Sequence, residues 1–431
     1  MNENIWKSRW SNDQIRAMLL EQFESFEHRD AGIERSKLRE VEEAAHLPHA
    51  VIVSGLRRVG KSTLLSQMAR RLGFDQFYYV NFEDDRFLGF RVEDANDLFQ
   101  MLVETFGERR IFIVDEVQNI QGWEHFVRRF MDMGYKFYIT GSNASLLSRE
   151  LGTRLTGRYI PVELFPFSFK EFLRFRGDAI PNPRRMTTVE RAMLNKALDS
   201  YLIFGGIPDS LKYPGLPILR SLYDDVLYRD IATRHRLDTV TALKELAFFL
   251  ISNPAGSISF NKLKEQLRLG SVNTVTSYVE YMQNSWLIFV LNLYAFSVKR
   301  QQIAPKKVYC VDTGLANSVG FHFSPNTGKM IENLVFLALR QQTKEIYYVQ
   351  TQAGFEVDFY LPEQRQLIQV SQRLENQSTR DREFRAIEDA ARGLRIESAM
   401  ILSDVNEEET STGVIPVKVQ SVSEWFLSNP V

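Results

Sequence analysis

Two stretches of this chain carry residues spaced for chemistry. The first is Gly55-Leu56-Arg57-Arg58-Val59-Gly60-Lys61-Ser62-Thr63, which follows the apolar run Val51-Ile52-Val53 and leads into an amphipathic pattern at Leu64, Leu65, Met68 and Leu72. A strand, then G-x-x-x-x-G-K-S, then a helix is the order of a phosphate-binding loop. The glycines let the backbone wrap so that several N–H groups face one phosphate. The helix that follows turns its positive N-terminal end to the anion. Lys61 is spaced to reach the β- and γ-phosphates, and the Ser62 hydroxyl to ligate Mg²⁺. The candidate nucleotide-binding residues are therefore Gly55, Arg58, Gly60, Lys61, Ser62 and Thr63, with ATP and Mg²⁺ as the implied cofactors.

The second stretch is Ile111-Phe112-Ile113-Val114-Asp115-Glu116. Four apolar residues suit a strand buried on both faces, and they deliver two carboxylates to its carboxyl edge, where open α/β sheets bind ligands. Asp115 would hold Mg²⁺ through water, and Glu116 would orient and polarise the attacking water. A further buried run, Phe137-Tyr138-Ile139-Thr140, ends in Gly141-Ser142-Asn143. A polar side chain here would lie beside the γ-phosphate. Asn143 is the candidate sensor and Ser142 its alternative, the other use of either being an N-cap for a helix at 144–150. Arginines follow at 149, 154 and 158. Arg158, or alternatively Arg154, is the candidate finger, a charge clamp reaching the γ-phosphate of a neighbouring subunit. Their alternative is solvated surface charge.

The elements that must position these residues alternate as strand and helix from residue 50 onward, which predicts a parallel sheet. Strands are expected at 50–54, 77–82, 111–115 and 137–140, and near 160–162. Residues 1–48 read as an N-terminal helical segment whose Trp6 and Trp10 serve packing. Beyond the core, the chain from 176 reads as a helical stretch. Residues 240–310 read as helix, helix, helix and hairpin. There Val272, Val275, Val279 and Met282 keep helical spacing, while Asn273, Thr274, Thr276 and Ser277 lie mostly off that stripe, as in a DNA-recognition helix. Strands at 286–294 and 306–311 flank Ser297-Val298-Lys299-Arg300-Gln301-Gln302, a basic wing suited to phosphate. A protein-binding use of the same element stands beside the DNA-binding one.

Several motifs occur in a fixed order: Gly-x4-Gly-Lys-Ser, Val-Asp-Glu-Val-Gln (114–118) with Trp123, Thr-Gly-Ser (140–142), Leu-Thr-Gly-Arg (155–158) and Leu-Phe-Pro-Phe-Ser-Phe-x-Glu-Phe (164–172). Tyr201 to Pro208 and Tyr228-Arg229-Asp230-Ile231 follow them. With these motifs the chain resembles the bacterial and archaeal AAA+ ATPases that carry a C-terminal winged-helix and nuclease-like region. The resemblance implies a P-loop AAA+ core of class α/β at 49–175, a helical lid at 176–239, a winged helix-turn-helix and a restriction-endonuclease-like domain at 311–431. The last region is similar in element order to the PD-(D/E)XK nuclease core. Glu332 and Asp358 match its acids, but Gln369 and Ser371 stand where an acid and a lysine belong. Glu363 and Glu375 are alternative positions for the third acid. With an amide for a carboxylate and no lysine, DNA cleavage is not expected.

Composition narrows the classes. The 431 residues allow two to four domains, and a net charge of −1 confines any nucleic-acid site to a local patch. The single cysteine, Cys310, excludes an intramolecular disulfide and suits a reducing cytoplasm. No signal-peptide core or bilayer-length apolar run is read from the sequence, so no membrane partner is expected. The expected protein is an ATPase that forms a ring oligomer, a hexamer by resemblance, and binds or remodels DNA. The alternatives are a nucleotide-state switch that gates a protein partner and an ATP-dependent nuclease. A two-lobed helicase would need a second RecA-like domain, and a helical stretch occupies that place.

Overall fold

Five apolar runs make the first sheet. The computed structural model describes residues 10–144, 157–183, 185–321, 326–404 and 408–428, together with Trp6 and Leu155. The chain divides into two compact units, residues 1–164 and 165–431.

In the first unit the elements run α1 (Asn12–Glu27), α2 (Leu38–Glu43), β1 (Ala50–Ser54), α3 (Lys61–Leu72), β2 (Phe77–Asn81), α4 (Ala95–Phe106), β3 (Ile111–Asp115), α5 (Trp123–Asp132), β4 (Lys136–Gly141) and β5 (Tyr159–Glu163). All pairs in the sheet are parallel, in the order β2-β3-β4-β1-β5. Every residue of β1 is buried, as a strand covered on both faces requires. Because β4 lies between β3 and β1, the carboxyl ends of all three strands open on one crevice.

The N-terminal segment packs into this unit rather than standing as a separate body. Ser11 and Gln14 form a reciprocal capping box that starts α1. Its Ile15, Met18 and Leu19 join the core cluster that contains Val80, Phe112 and Ile139. Trp6 is fully buried and stacks on Phe87 at 5.8 Å. Removing a buried ring of this size costs roughly 3–5 kcal/mol. Lys136 closes the segment onto β4, its Nζ donating to the carbonyls of Ala44, Leu47 and His49 at 2.6–2.8 Å.

The second unit carries a nine-stranded sheet. Its first helices are α6 (Phe169–Arg176), α7 (Thr188–Phe204) and α8 (Ile218–Asp225), followed by a π-helical turn at Val226–Thr233. The motif residues meet here. Phe167 N donates to Gly206 O at 2.7 Å, and a Cβ on Gly206 would come within 2.4 Å of Phe167 O, so only glycine fits. α7 buries Leu194, Leu198, Tyr201 and Leu202.

Next come α9 (Thr241–Ser252), β6 (Gly256–Ile258), α10 (Phe260–Gln266), α11 (Val272–Asn284), β7 (Ile288–Leu293), α12 (Val298–Ile303) and β8 (Lys306–Cys310). β8 pairs antiparallel with both β6 and β7. Val275, Val279 and Met282 are the buried face of α11. The basic stretch expected as a wing loop is instead the short helix α12, started by Ser297, whose Oγ accepts from Arg300 N. α13 (Thr313–Val319), α14 (Thr327–Arg340), β9 (Tyr347–Gln350), β10 (Glu356–Leu361), β11 (Gln366–Val370), α15 (Gln377–Leu394) and β12 (Ala399–Ser403) follow. The hairpin β13 (Glu408–Ser411) and β14 (Pro416–Ser421) and the helix α16 (Val422–Ser428) complete it. The boundary expected at 310/311 is bridged: β7 pairs parallel with β9 through Asn292↔Tyr347 and Leu293↔Tyr348, joining the two regions in one sheet. No helix among the described residues is long and apolar enough to cross a membrane.

Candidate active site

β1 ends at Ser54, and the chain must turn at once into the loop. A Cβ on Gly55 would lie 2.2 Å from Leu164 O, so the close approach of the segment after β5 demands glycine. Gly60 sits at φ +94° and starts α3, a conformation costly for any residue with a Cβ. Lys61, only 5% exposed, bends back so that its Nζ donates to Gly55 O at 3.2 Å and Leu56 O at 3.1 Å. It also lies 3.6 Å from Glu116 Oε1. Ser62 and Thr63 follow on the first turn of α3, half-buried, while Arg58 is exposed at φ +63°.

β3 delivers the two acids to the same place. Asp115 is buried and accepts from the hydroxyls of Thr140 and Tyr79, the latter at 3.3 Å. Burial raises its pKa, the Glu116 charge adds to the rise, and a hydrogen bond from Ser62 opposes it. Glu116 sits in the left-handed region at φ +51°, its N–H donating to Thr140 Oγ1 at 3.0 Å. That turn points its carboxylate across to β4, where Ser142 Oγ donates at 3.2 Å and Gln118 Nε2 donates to the same oxygen. Burial alone would raise the Glu116 pKa, but Lys61 and these donors win, and it is held below its usual value. Glu116 is thus a carboxylate at neutral pH, fixed in position and able to accept a proton.

This donor set fits a hard divalent cation. It offers a buried carboxylate and a serine hydroxyl in mutual contact, both oxygen ligands. Asp115 and Ser62 would hold Mg²⁺, and Lys61 and the loop N–H groups the phosphates.

The remaining candidates divide. Ser142, the alternative sensor, has its hydroxyl on Glu116. Asn143 is buried beside it, its main-chain carbonyl accepting from Ser54 Oγ at 2.9 Å. Arg158 precedes β5 at the amino edge of the sheet, where Ala50 N donates to its carbonyl, and its guanidinium pairs with Asp132 at 2.7 Å. A five-residue strand at about 3.3 Å per residue puts it roughly 16 Å from the loop of its own chain. Arg149, Arg154 and residues 145–150 of the helix expected at 144–150 lie outside the described residues. Thr140, Tyr79 and Gln118 were not singled out by chemistry. A hydroxyl ending an otherwise apolar strand was the available signal for Thr140. Arg35 was missed as well: it is buried and donates to Val59 O in the loop at 2.6 Å.

The acids of the C-terminal region also meet, but around a cation of the chain's own. Lys307 Nζ lies 2.8 Å from Glu332 Oε1, Glu356 Oε1 and Asp358 Oδ1, and Tyr309 OH donates to Glu332 at 2.8 Å. This corrects the expectation that nothing replaces the missing lysine: Lys307 reaches the cluster from β8, far off in sequence. Burial would lower its pKa, but the three carboxylates hold it well above the usual value. Gln369 bridges Asp358 N and Glu383 through its amide. Among the described residues no group of three or more His, Cys, Asp or Glu is arranged to hold a metal ion.

The parallel sheet, the loop after β1 and the paired acids after β3 define a P-loop ATPase domain. The AAA domain family model matches residues 48–173, and a domain of unknown function (DUF8612) matches residues 195–326. The chain is 35% identical over 360 residues to the uncharacterized protein MJ1544 of Methanocaldococcus jannaschii, covering 80% of each chain, and it belongs to that protein's family. An uncharacterized protein of Haemophilus influenzae is 29% identical over 343 residues, covering 72% of this chain and 83% of the relative. Among solved structures, the Walker-type ATPase PABY2304 of Pyrococcus abyssi aligns at a TM-score of 0.44 with 16% identity, covering 68% of this chain and 99% of that one.

Lys61→Ala is expected to abolish tight nucleotide binding, because it removes the cation that neutralises the β- and γ-phosphates. Titration with a fluorescent ATP analogue checks this, and native-like affinity in the variant would remove the loop from the site.

Proposed function

We propose that the protein hydrolyses ATP with Mg²⁺ as a ring oligomer, of hexameric size by resemblance, and uses the cycle to bind, remodel or translocate DNA. The observation that carries the hydrolytic part is the fixed carboxylate of Glu116, held by Lys61, Ser142 and Gln118 beside Asp115. Mg²⁺-bound ATP would supply the phosphoanhydride to be broken and the cation that draws charge from it. Lys61 binds β- and γ-phosphate oxygens. Glu116 aligns a water and takes its proton on a carboxylate oxygen. Ser142, with Asn143 beside it, keeps Glu116 turned toward the phosphate end. Arg158, pointing away from its own loop, serves the site of the next subunit.

The DNA part rests on residues 240–310, which we read as a winged helix-turn-helix. The order α9-β6-α10-α11-β7-α12-β8 supports this, as does the exposure of Asn273 and Thr276 on α11. Lys299 and Arg300 on α12 are exposed, which suits phosphate contacts. Reversing both to Glu should weaken duplex binding and flatten its salt dependence while basal ATP turnover persists, because each lost phosphate contact removes a released counterion. Binding isotherms at two or three salt concentrations read this directly, and unchanged slopes would return α12 to a solvated surface.

A switch that gates a protein partner is the second reading, favoured by the exposed apolar side chains of Phe296, Val298 and Ile303 around the same basic pair. Stimulation of ATP turnover by DNA separates it from the first. We infer that the C-terminal region does not cut DNA, because a metal ion would have to displace Lys307 from all three carboxylates. Incubation of single-stranded and duplex DNA with Mg²⁺ or Mn²⁺ should leave both intact. Cleavage that vanishes in Asp358→Ala would instead make the protein an ATP-dependent nuclease.

A further inference from the structure

The ten residues between α1 and α2 are bound to the nucleotide loop and its helix at several points. Gln67 on α3 accepts from Arg35 N at 3.1 Å and donates to Ala31 O at 2.7 Å and Ile33 O at 2.6 Å. Arg70 Nη2 donates to Arg29 O at 2.8 Å, and Arg35 Nη1 to Val59 O in the loop at 2.6 Å. So tethered, the main chain at Arg29 has little freedom, and its side chain turns toward the acids. Arg29 Nη1 lies 3.9 Å from Asp115 Oδ2. The guanidinium also rides over the Phe26 ring at 5.7 Å, and Phe26 is stacked on Tyr79 at 3.9 Å. Tyr79 OH donates to the same Oδ2. One oxygen of Asp115 therefore collects the Tyr79 hydroxyl from β2 and the Arg29 guanidinium from the segment after α1.

We propose that Arg29 is a positioning residue of the nucleotide site in its own chain, sharing Asp115 with Mg²⁺ and thereby coupling metal affinity to the seating of residues 28–37. The proposal rests on the reading of the loop as an ATP·Mg²⁺ site. Two cations cannot both take full advantage of one carboxylate: each repels the other, and each needs the same lone pairs. Any gain Mg²⁺ makes at Asp115 loosens Arg29, and by linkage any strengthening of the Arg29 contact weakens Mg²⁺ to the same degree. Arg29 is about one-third exposed while Asp115 is almost fully buried, so the contact is modest, on the order of an exposed pair or somewhat above it. The N-terminal segment thus reports on the occupancy of the metal position, and a partner that pulls it away would tighten Mg²⁺ binding.

The test is the Mg²⁺ dependence of binding of a fluorescent non-hydrolysable ATP analogue. Arg29→Ala should lower the half-saturating Mg²⁺ concentration by about 3- to 10-fold, and Arg29→Lys by less. Affinity for the analogue in EDTA should not change, since Lys61 and the loop amides are untouched. An equal or higher Mg²⁺ midpoint in Arg29→Ala overturns the proposal. Hydrogen exchange on the native chain gives a second reading that needs no variant. Residues 28–37 should exchange faster with Mg²⁺ and analogue than with analogue in EDTA, and equal or slower exchange is also contrary to it. If Lys61→Ala keeps its nucleotide affinity, the nucleotide-site reading itself falls. If that variant loses affinity and Arg29→Ala leaves the Mg²⁺ curve in place, only the role of Arg29 falls.

Discussion

Glu116→Gln should bind ATP and Mg²⁺ as the native chain does and yet lose turnover by about 10²- to 10⁴-fold, the range of a positioned general base. The amide keeps the volume of the side chain and can still meet Ser142 and Gln118. It cannot take up the proton of the attacking water. The carboxylate it replaces is held ionised by Lys61 at 3.6 Å despite its burial, so the native group is in its basic form throughout the neutral range. Removing that charge also relieves its repulsion on Asp115, and the variant should therefore hold Mg²⁺ at least as well as the native site. Phosphate release and nucleotide titration, done side by side, read the two halves of the expectation. Turnover within a few-fold of native would move the base to another residue, and a loss of nucleotide binding would make Glu116 part of the binding surface instead.

Arg158→Ala should cut turnover on the order of 10³-fold with nucleotide affinity unchanged, the effect of removing a charge clamp from the transition state. The residue lies at the amino edge of the sheet, paired with Asp132, a strand's length from Lys61, which suits service to a neighbouring site. The Asp132 pair is largely solvent-facing, so releasing the guanidinium to a neighbour costs little. Mixing Arg158→Ala with Lys61→Ala should restore part of the activity, because an intact loop from one chain then meets an intact arginine from the other. Activity that stays lost in the mixture would leave Arg158 as a surface partner of Asp132.

The phosphate loop and the acids after it were legible in the sequence. Gly55, Gly60, Lys61 and Ser62 are adjacent in sequence, and the strand and helix that frame them are set by local hydrophobic pattern. Asp115 and Glu116 could be read because a four-residue apolar run ends at them. The sequence put Asn143 ahead of Ser142 as the sensor, while the structure turns the Ser142 hydroxyl to Glu116, a matter of which side chain faces that carboxylate after β4 ends. Arg29 and Arg35 gave no signal at all. They lie in an irregular segment, and their role comes from Gln67 and Arg70 on α3 reaching back to them.

The second unit shows the same division at larger scale. The spacing of Val275, Val279 and Met282 was enough to define the buried face of α11. The basic stretch after β7 became a helix because Ser297 caps it, a local preference that outweighed its reading as a wing. The hairpin of β13 and β14 went unread, although Val417 and Val419 face inward on either side of Lys418. Segments were separable by pattern, but their association was not: the pairing of β7 with β9 joins residues more than fifty positions apart.

Sequence alone determined that this chain carries a phosphate loop with paired acids, because the chemistry there needs neighbours along the backbone. Tertiary structure alone decided what each charge answers to. Lys307 finds Glu332, Glu356 and Asp358 only when β8, α14 and β10 come together, and Arg29 finds Asp115 only when α1 lies across the sheet. A buried charge must have a partner, but nothing in the order of residues says which one the fold will bring.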